Sequence, residues 1–169
     1  SLAVLVRDLG ALYTSEVTGQ PAGLPEHGPT YLDYVRWQSQ LLNSEAGQRS
    51  FAYWSEQLRG PLPAFNMATD YTRPCSQSYR GAAADFKLSV ELTQRLKSLA
   101  LKESATLYTT LLAAFQLLLH RYSGQDDLLV GSPTSGRSRA AFAEVVGYFV
   151  NPVVLRSSTP EVTSFVDFL

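Results

Sequence analysis

The sequence predicts an α/β chain, and three observations carry that class. Apolar residues recur at helical spacing in several separated stretches, one stretch alternates strictly, and a strand–helix–helix–strand order occupies the centre. With 169 residues, 45% hydrophobic and 17% charged content, the chain is long enough for one domain with a core and too apolar for disorder. A formal net charge of −1 leaves no basic excess to neutralise phosphates, so nucleic acid is not an expected partner. No apolar run reaches the roughly 18–20 residues of a membrane span, so no membrane partner is expected either. Cys75 is the only cysteine; it can neither close an internal disulfide nor build a structural zinc site, which fits a reducing, cytoplasmic setting.

Taken in order, Leu2, Leu5, Leu9 and Leu12 recur at helical spacing, with Val6 and Tyr13 widening the stripe and Ser1 placed to cap it. Arg7 and Asp8 interrupt the run and no cleavage site follows, so the stretch is expected to be an amphipathic helix of a longer protein, not a signal peptide. Gly19 to Pro29 carries three Pro and three Gly and is a loop. A helix is expected from Tyr31 to about Leu42. A second runs from about Ser50 to Leu58 and is ended by Gly60-Pro61-Leu62-Pro63. Asn66 to Gly81 is irregular.

From Ala82 to Val90 the alternation is strict. Ala82, Ala84, Phe86, Leu88 and Val90 share one side, which predicts a half-buried strand. Leu92, Leu96, Leu99 and Ala100 then mark a helix with Glu91 near its N-terminus. Leu107, Leu111, Leu112, Phe115, Leu118 and Leu119 mark a second, more buried helix that stops at Gly124. Leu128-Leu129-Val130 is a short buried strand, 131–137 a loop, and about Phe149 to Arg156 a last strand. Ser164 to Leu169 has the pattern of a helix's opening turns.

Little in this pattern assembles a reaction centre. His27 lies in the Pro/Gly-rich loop, and His120 stands beside Arg121 near a helix C-terminus, where a cationic group is favoured. Neither has metal-ligand spacing, so no metal is expected. The chain has no Gly-x-Ser-x-Gly elbow, and its Gly-Ser-Pro-Thr-Ser-Gly-Arg loop has no phosphate-loop lysine. Cys75 reads as an unreactive loop thiol.

Six stretches in register carry a resemblance. Tyr31-Leu32-Asp33-Tyr34-Val35-Arg36-Trp37 resembles the Tyr-x-Asp-(Tyr/Phe)-x-x-Trp motif of nonribosomal peptide synthetase condensation domains, and Tyr53-Trp54 to Leu58 resembles the tryptophan helix after it. Thr69-Asp70-Tyr71-Thr72-Arg73-Pro74, then Tyr79-Arg80-Gly81, is similar to the family's Thr-Asp-x-x-Arg-Pro connector and the Arg-Gly before its next strand. Thr106 to Asp127 resembles its long helix and the turn into a strand. Gly131 to Arg137 matches its Gly-x-Pro-x-x-Gly-Arg loop. Val146-Gly147-Tyr148-Phe149-Val150-Asn151, ending at Leu155-Arg156, matches its Val/Ile-Gly-x-Phe-Val-Asn motif. Pro152 departs from the usual Thr and removes a backbone donor.

The resemblance implies part of a chloramphenicol acetyltransferase-like two-lobe fold: residues 1–29 as the last helix and linker of the first lobe, and 30–169 as the N-terminal part of the second. The family's His-His-x-x-x-Asp-Gly string is absent from the chain. It is expected just upstream of Ser1, which makes these residues a fragment that is inactive alone. The implied activity is amide-bond formation between aminoacyl or peptidyl groups, held as thioesters on the phosphopantetheine arms of upstream and downstream carrier proteins. Adenylation domains are the implied neighbours, and no cofactor is held directly. Two other activities are weighed against it: an epimerisation domain of the same fold, disfavoured by the Phe-Val-Asn motif and the Gly-x-Pro loop, and a non-catalytic scaffold that only docks carrier proteins.

The residues implied to line the channel or hold it together are Tyr31, Asp33, Trp37, Arg80, Gly131, Arg137, Gly147, Phe149 and Asn151. Packing and capping lead for Tyr31, Asp33 and Trp37. An ion pair leads for Arg80 and Arg137. Asn151 is expected as a buried amide, lining a tunnel or tying two loops.

Overall fold

Helix caps written in the sequence set most of the elements of this computed structural model, which describes residues 1–24, 28–64, 66–72, 74–159 and 164–169. Thr30, Ser44, Ser89 and Thr106 each accept a hydrogen bond from a backbone amide two or three residues into the following helix. The described helices are α1 (Leu2–Thr18), α2 (Tyr31–Leu42), α3 (Glu45–Gln57), α4 (Val90–Lys102), α5 (Leu107–Ser123) and the single turn α6 (Phe165–Phe168). Gly124 closes α5 in the left-handed conformation, at φ 66°, where a Cβ would be strained. Strands β1 (Asp127–Thr134) and β2 (Asn151–Ser158) pair as a two-stranded sheet. Asp127 meets Arg156 and Thr134 meets Asn151, so the strands run antiparallel.

The chain divides into two compact units. One comprises Ser1–Gly60 with Gly131–Val154; the other comprises Pro61–Val130 with Leu155–Leu169. In the first, α2 packs against α3, and the buried core is Tyr34, Phe142, Val145 and Phe149, with Trp37 packed on it. In the second, α4 and α6 pack against α5, and Ala100, Thr110, Ala113, Gln116 and Leu128 are buried.

Three expectations are corrected. The alternating stretch 82–90 forms no strand: residues 81–89 have no regular hydrogen-bonded structure and are exposed, Phe86 at 84%. Alternation supplies a face, but a strand also needs a partner for its amides, and no described segment provides one. The leucine stripe of α5 is only partly covered: Leu107, Leu112 and Leu119 are half-buried, whereas Leu111, Phe115 and Leu118 are exposed, Phe115 at 48%. The buried residues of α5, Thr110, Ala113 and Gln116, lie on another face, where the small side chains of Thr110 and Ala113 allow close approach. The loop expected at 131–137 is shorter, because β1 continues through Thr134.

Candidate functional site

The first unit contains an open concavity of about 420 Å³ lined by Ser1, Ser135, Arg137 and the backbone and side chains of residues 146–150. Its wall is irregular chain, and irregular chain holds a shape only if its amides and carbonyls find partners. Arg137 holds the segment that leads into the wall. Its Nη1 donates to the carbonyls of Phe142, at 2.7 Å, and Ala143, at 2.9 Å. Its Nη2 donates to the carbonyl of Val145, at 2.8 Å, and to Ser1 Oγ, at 3.0 Å. The guanidinium also lies 3.9 Å from the centre of the Phe149 ring. Gly136, just before it, adopts φ 62° and runs so close to the Phe149 carbonyl that no Cβ fits.

Ser1 completes the lattice. It stands at the N-terminus of α1, but its side chain does not cap that helix. The hydroxyl donates to the Gly147 carbonyl at 2.6 Å and accepts from the Gly147 amide at 3.1 Å. Farther along α1, Arg7 forms an ion pair with Glu144.

Helix α2 braces the same wall. The Tyr31 hydroxyl donates to the Tyr148 carbonyl at 2.6 Å. Its ring stacks on Tyr34 and meets Phe149 edge-on, with ring centres 5.7 and 5.4 Å apart. Tyr34 and Phe149 are each 3% exposed, and Trp37 closes the knot against Tyr34 and Phe142. Any Cβ at position 147 would run into the Tyr31 ring, so glycine is required there on steric grounds alone. The start of α2 is fixed by a capping box. The Thr30 amide and hydroxyl both donate to Asp33 Oδ2, at 2.8 and 2.7 Å, and the Asp33 amide donates to Thr30 Oγ1 at 3.2 Å. Those bonds from Thr30, with Arg36 nearby, hold the Asp33 carboxyl below its ordinary value.

Of the residues singled out in the sequence, Tyr31, Arg137, Gly147 and Phe149 come together at this wall, and Asn151 follows directly after it. Asp33 and Trp37 belong to the helix that braces it. Two expectations fail in detail. Arg137 forms no ion pair among the described residues; backbone carbonyls take the place of a carboxylate, because its five-donor fork reaches several of them at once. Asn151 is exposed rather than buried, and its Nδ2 donates to the nearby Phe149 carbonyl at 3.3 Å.

Arg80 and Gly131 stand apart. Arg80 is exposed and makes no ion pair among the described residues, so that expectation also fails; its backbone amide donates to Ser78 Oγ. Gly131 is an exposed residue of β1. Cys75 is exposed, and His27 lies outside the described residues. In the second unit, His120 Nδ1 sits 3.0 Å from both the Gln125 carbonyl and Thr159 Oγ1. Sequence reading missed Thr30, whose Thr-x-x-Asp spacing was a usable signal. It also missed Ser1 as a partner of Gly147, for which no local signal exists.

Chemically, the wall offers hydroxyls, one engaged guanidinium and aromatic surface. No described group there is set up as a nucleophile with an adjacent base, and no described cluster of His, Cys, Asp or Glu has metal-holding geometry. No described helix is long and apolar enough to cross a membrane.

Comparison with known proteins gives a consistent result. Residues 1–169 match the family model described as Condensation domain. A linear gramicidin synthase protein of Brevibacillus parabrevis is 41% identical over 169 residues, which is 100% of this chain and 3% of that protein. The first curated relatives are thus far longer than this chain, which spans 2–3% of their length. Among solved structures, the SgcC5 protein of Streptomyces globisporus matches with a TM-score of 0.82 at 25% identity, over 99% of this chain and 37% of that one. The first condensation domain of the calcium-dependent antibiotic synthetase shares the fold, with a TM-score of 0.72 at 22% identity over 98% of this chain and 36% of its own.

Proposed function

This chain belongs to the condensation-domain family, and on that footing we propose that it is part of a unit that forms amide bonds between carrier-protein-tethered aminoacyl or peptidyl groups. The observation that carries the reading is the family match along all of residues 1–169, joined to 41% identity with a peptide synthase. In the proposed arrangement, residues 1–29 end one lobe of a chloramphenicol acetyltransferase-like fold and 30–169 begin the other. Upstream and downstream carrier proteins bring their thioesters on phosphopantetheine arms, adenylation domains load them, and the assembly works in the cytoplasm.

In the proposed reaction, the acceptor amine attacks the donor thioester carbonyl. The new C–N bond replaces the C–S bond, and the donor arm leaves as a thiol carrying the proton lost by the amine. The string His-His-x-x-x-Asp-Gly does not occur in these residues, so no side chain here is assigned the proton transfer. What this chain contributes is orientation. The wall of residues 146–150, with Arg137 and Ser135, helps hold a tethered substrate, and an oriented encounter replaces a bimolecular one. Asn151, whose side-chain amide donates to the Phe149 carbonyl, supports the end of that wall.

The test is amide formation between two loaded carrier proteins by a parent synthetase module that contains this segment. The expected result is amide product that disappears when the second histidine of the module's His-His-x-x-x-Asp-Gly motif is changed to alanine. Carrier proteins that bind without giving product would overturn the reading in favour of a docking scaffold.

A further inference from the structure

Residues 146–150 line the concavity, and its surface is mostly apolar. Their course is set from outside. Arg137 and Ser1 hold the carbonyls and amide on the approach, up to Gly147. At Tyr148 the lateral hold is the Tyr31 hydroxyl, 2.6 Å from the carbonyl, while the Tyr148 side chain is itself exposed. The Tyr31 ring cannot easily swing away, because it is packed on both Tyr34 and Phe149. It also occupies the space that any side chain at position 147 would need.

We propose that Tyr31 is a positioning residue. It touches no substrate; it fixes the Gly147–Tyr148 backbone, and thereby the shape that the tethered substrate meets. The inference rests on the reading of the concavity as a substrate wall. Two features make it specific. The hydroxyl acts on one carbonyl, and the ring acts on one missing Cβ. A residue that merely filled the core would have neither dependence.

The experiment uses the parent synthetase module and three readouts. Tyr31→Phe keeps the ring and removes one neutral hydrogen bond, so the KM for a loaded carrier protein should rise about fivefold with kcat retained. The carbonyl ¹³C resonance of Tyr148 should move in the same variant, because its donor is gone. Gly147→Ala should lower thermal stability strongly in the native background and much less in a Tyr31→Ala background, where the ring no longer blocks the Cβ. An unchanged KM in an active module overturns the positioning role. An unmoved Tyr148 resonance, or a Gly147→Ala cost that is the same in both backgrounds, overturns it as well. A module that makes no amide in its native form instead defeats the substrate-wall reading, and the resonance and the paired variants still decide whether Tyr31 sets the backbone.

Discussion

Two irregular stretches of this chain, 135–150 and the described residues of 66–89, have opposite fates. Both lack long regular elements, and both carry aromatic residues and arginine. In the first, Arg137 ties down three carbonyls, and Phe142, Val145 and Phe149 are buried. In the second, Tyr71, Tyr79 and Phe86 are more than four-fifths exposed, and Arg80 makes no ion pair among the described residues. The contrast teaches that apolar content does not order an irregular segment. Order requires that its backbone polar groups be met and its aromatic rings find a cleft.

The largest test of this contrast is Phe149→Ala. Removing a ring that is 3% exposed and touches Tyr31, Tyr34 and Arg137 should destabilise the parent domain by about 3–5 kcal/mol in denaturant unfolding. A cost near zero would mean that the aromatic knot does not hold the wall. Arg137→Ala comes next. It leaves the Ala143 and Val145 carbonyls without this donor, and the Phe142 carbonyl with only the Val145 amide, and should cost about 2–3 kcal/mol, with Arg137→Lys recovering only part, since an ammonium cannot reach all of them. Full recovery by lysine would point to charge rather than fork geometry.

A smaller effect concerns the second unit. The Arg156 guanidinium, 2.6 Å from Asp127, holds that carboxyl below its ordinary value of 3.8. A depressed carboxyl contributes stability that is fully present above its unfolded value and is lost as pH falls through the folded one. Native protein should therefore lose stability below about pH 4, and Asp127→Asn should flatten that acid limb. The pair is partly exposed, so the limb is shallow and screened by salt. The smallest effect should come from Phe86→Ser in the open stretch, within about 0.5 kcal/mol of native stability. A larger loss would show that the alternating stretch is ordered by contacts beyond these residues.

Much of the local structure was legible. The helix at Tyr31–Leu42 has the predicted bounds, and Gly124 ends α5 as expected. These features follow from periodicity, caps and the φ preference of glycine, all of which act within a few residues. The strand ends were less legible. β1 runs on through Ser132, Pro133 and Thr134, residues that look like a loop, because pairing with β2 overrides their weak local preference. The site was legible only as a set of residue types. Arg137, Gly147 and Phe149 stand out in the sequence, but their partners do not: the Arg137 acceptors are backbone carbonyls, which every residue has.

The sequence by itself determined most of the helices, the glycine stop of α5, the family and the residues worth examining. Tertiary structure alone decided that Ser1 meets Gly147, that Tyr31 holds the Tyr148 carbonyl, that Leu111, Phe115 and Leu118 of α5 stay exposed, and that 82–90 is no strand. The physical reason is range. Propensity and capping are set by neighbours in the chain, whereas burial and strand pairing depend on which distant segment arrives to meet each face.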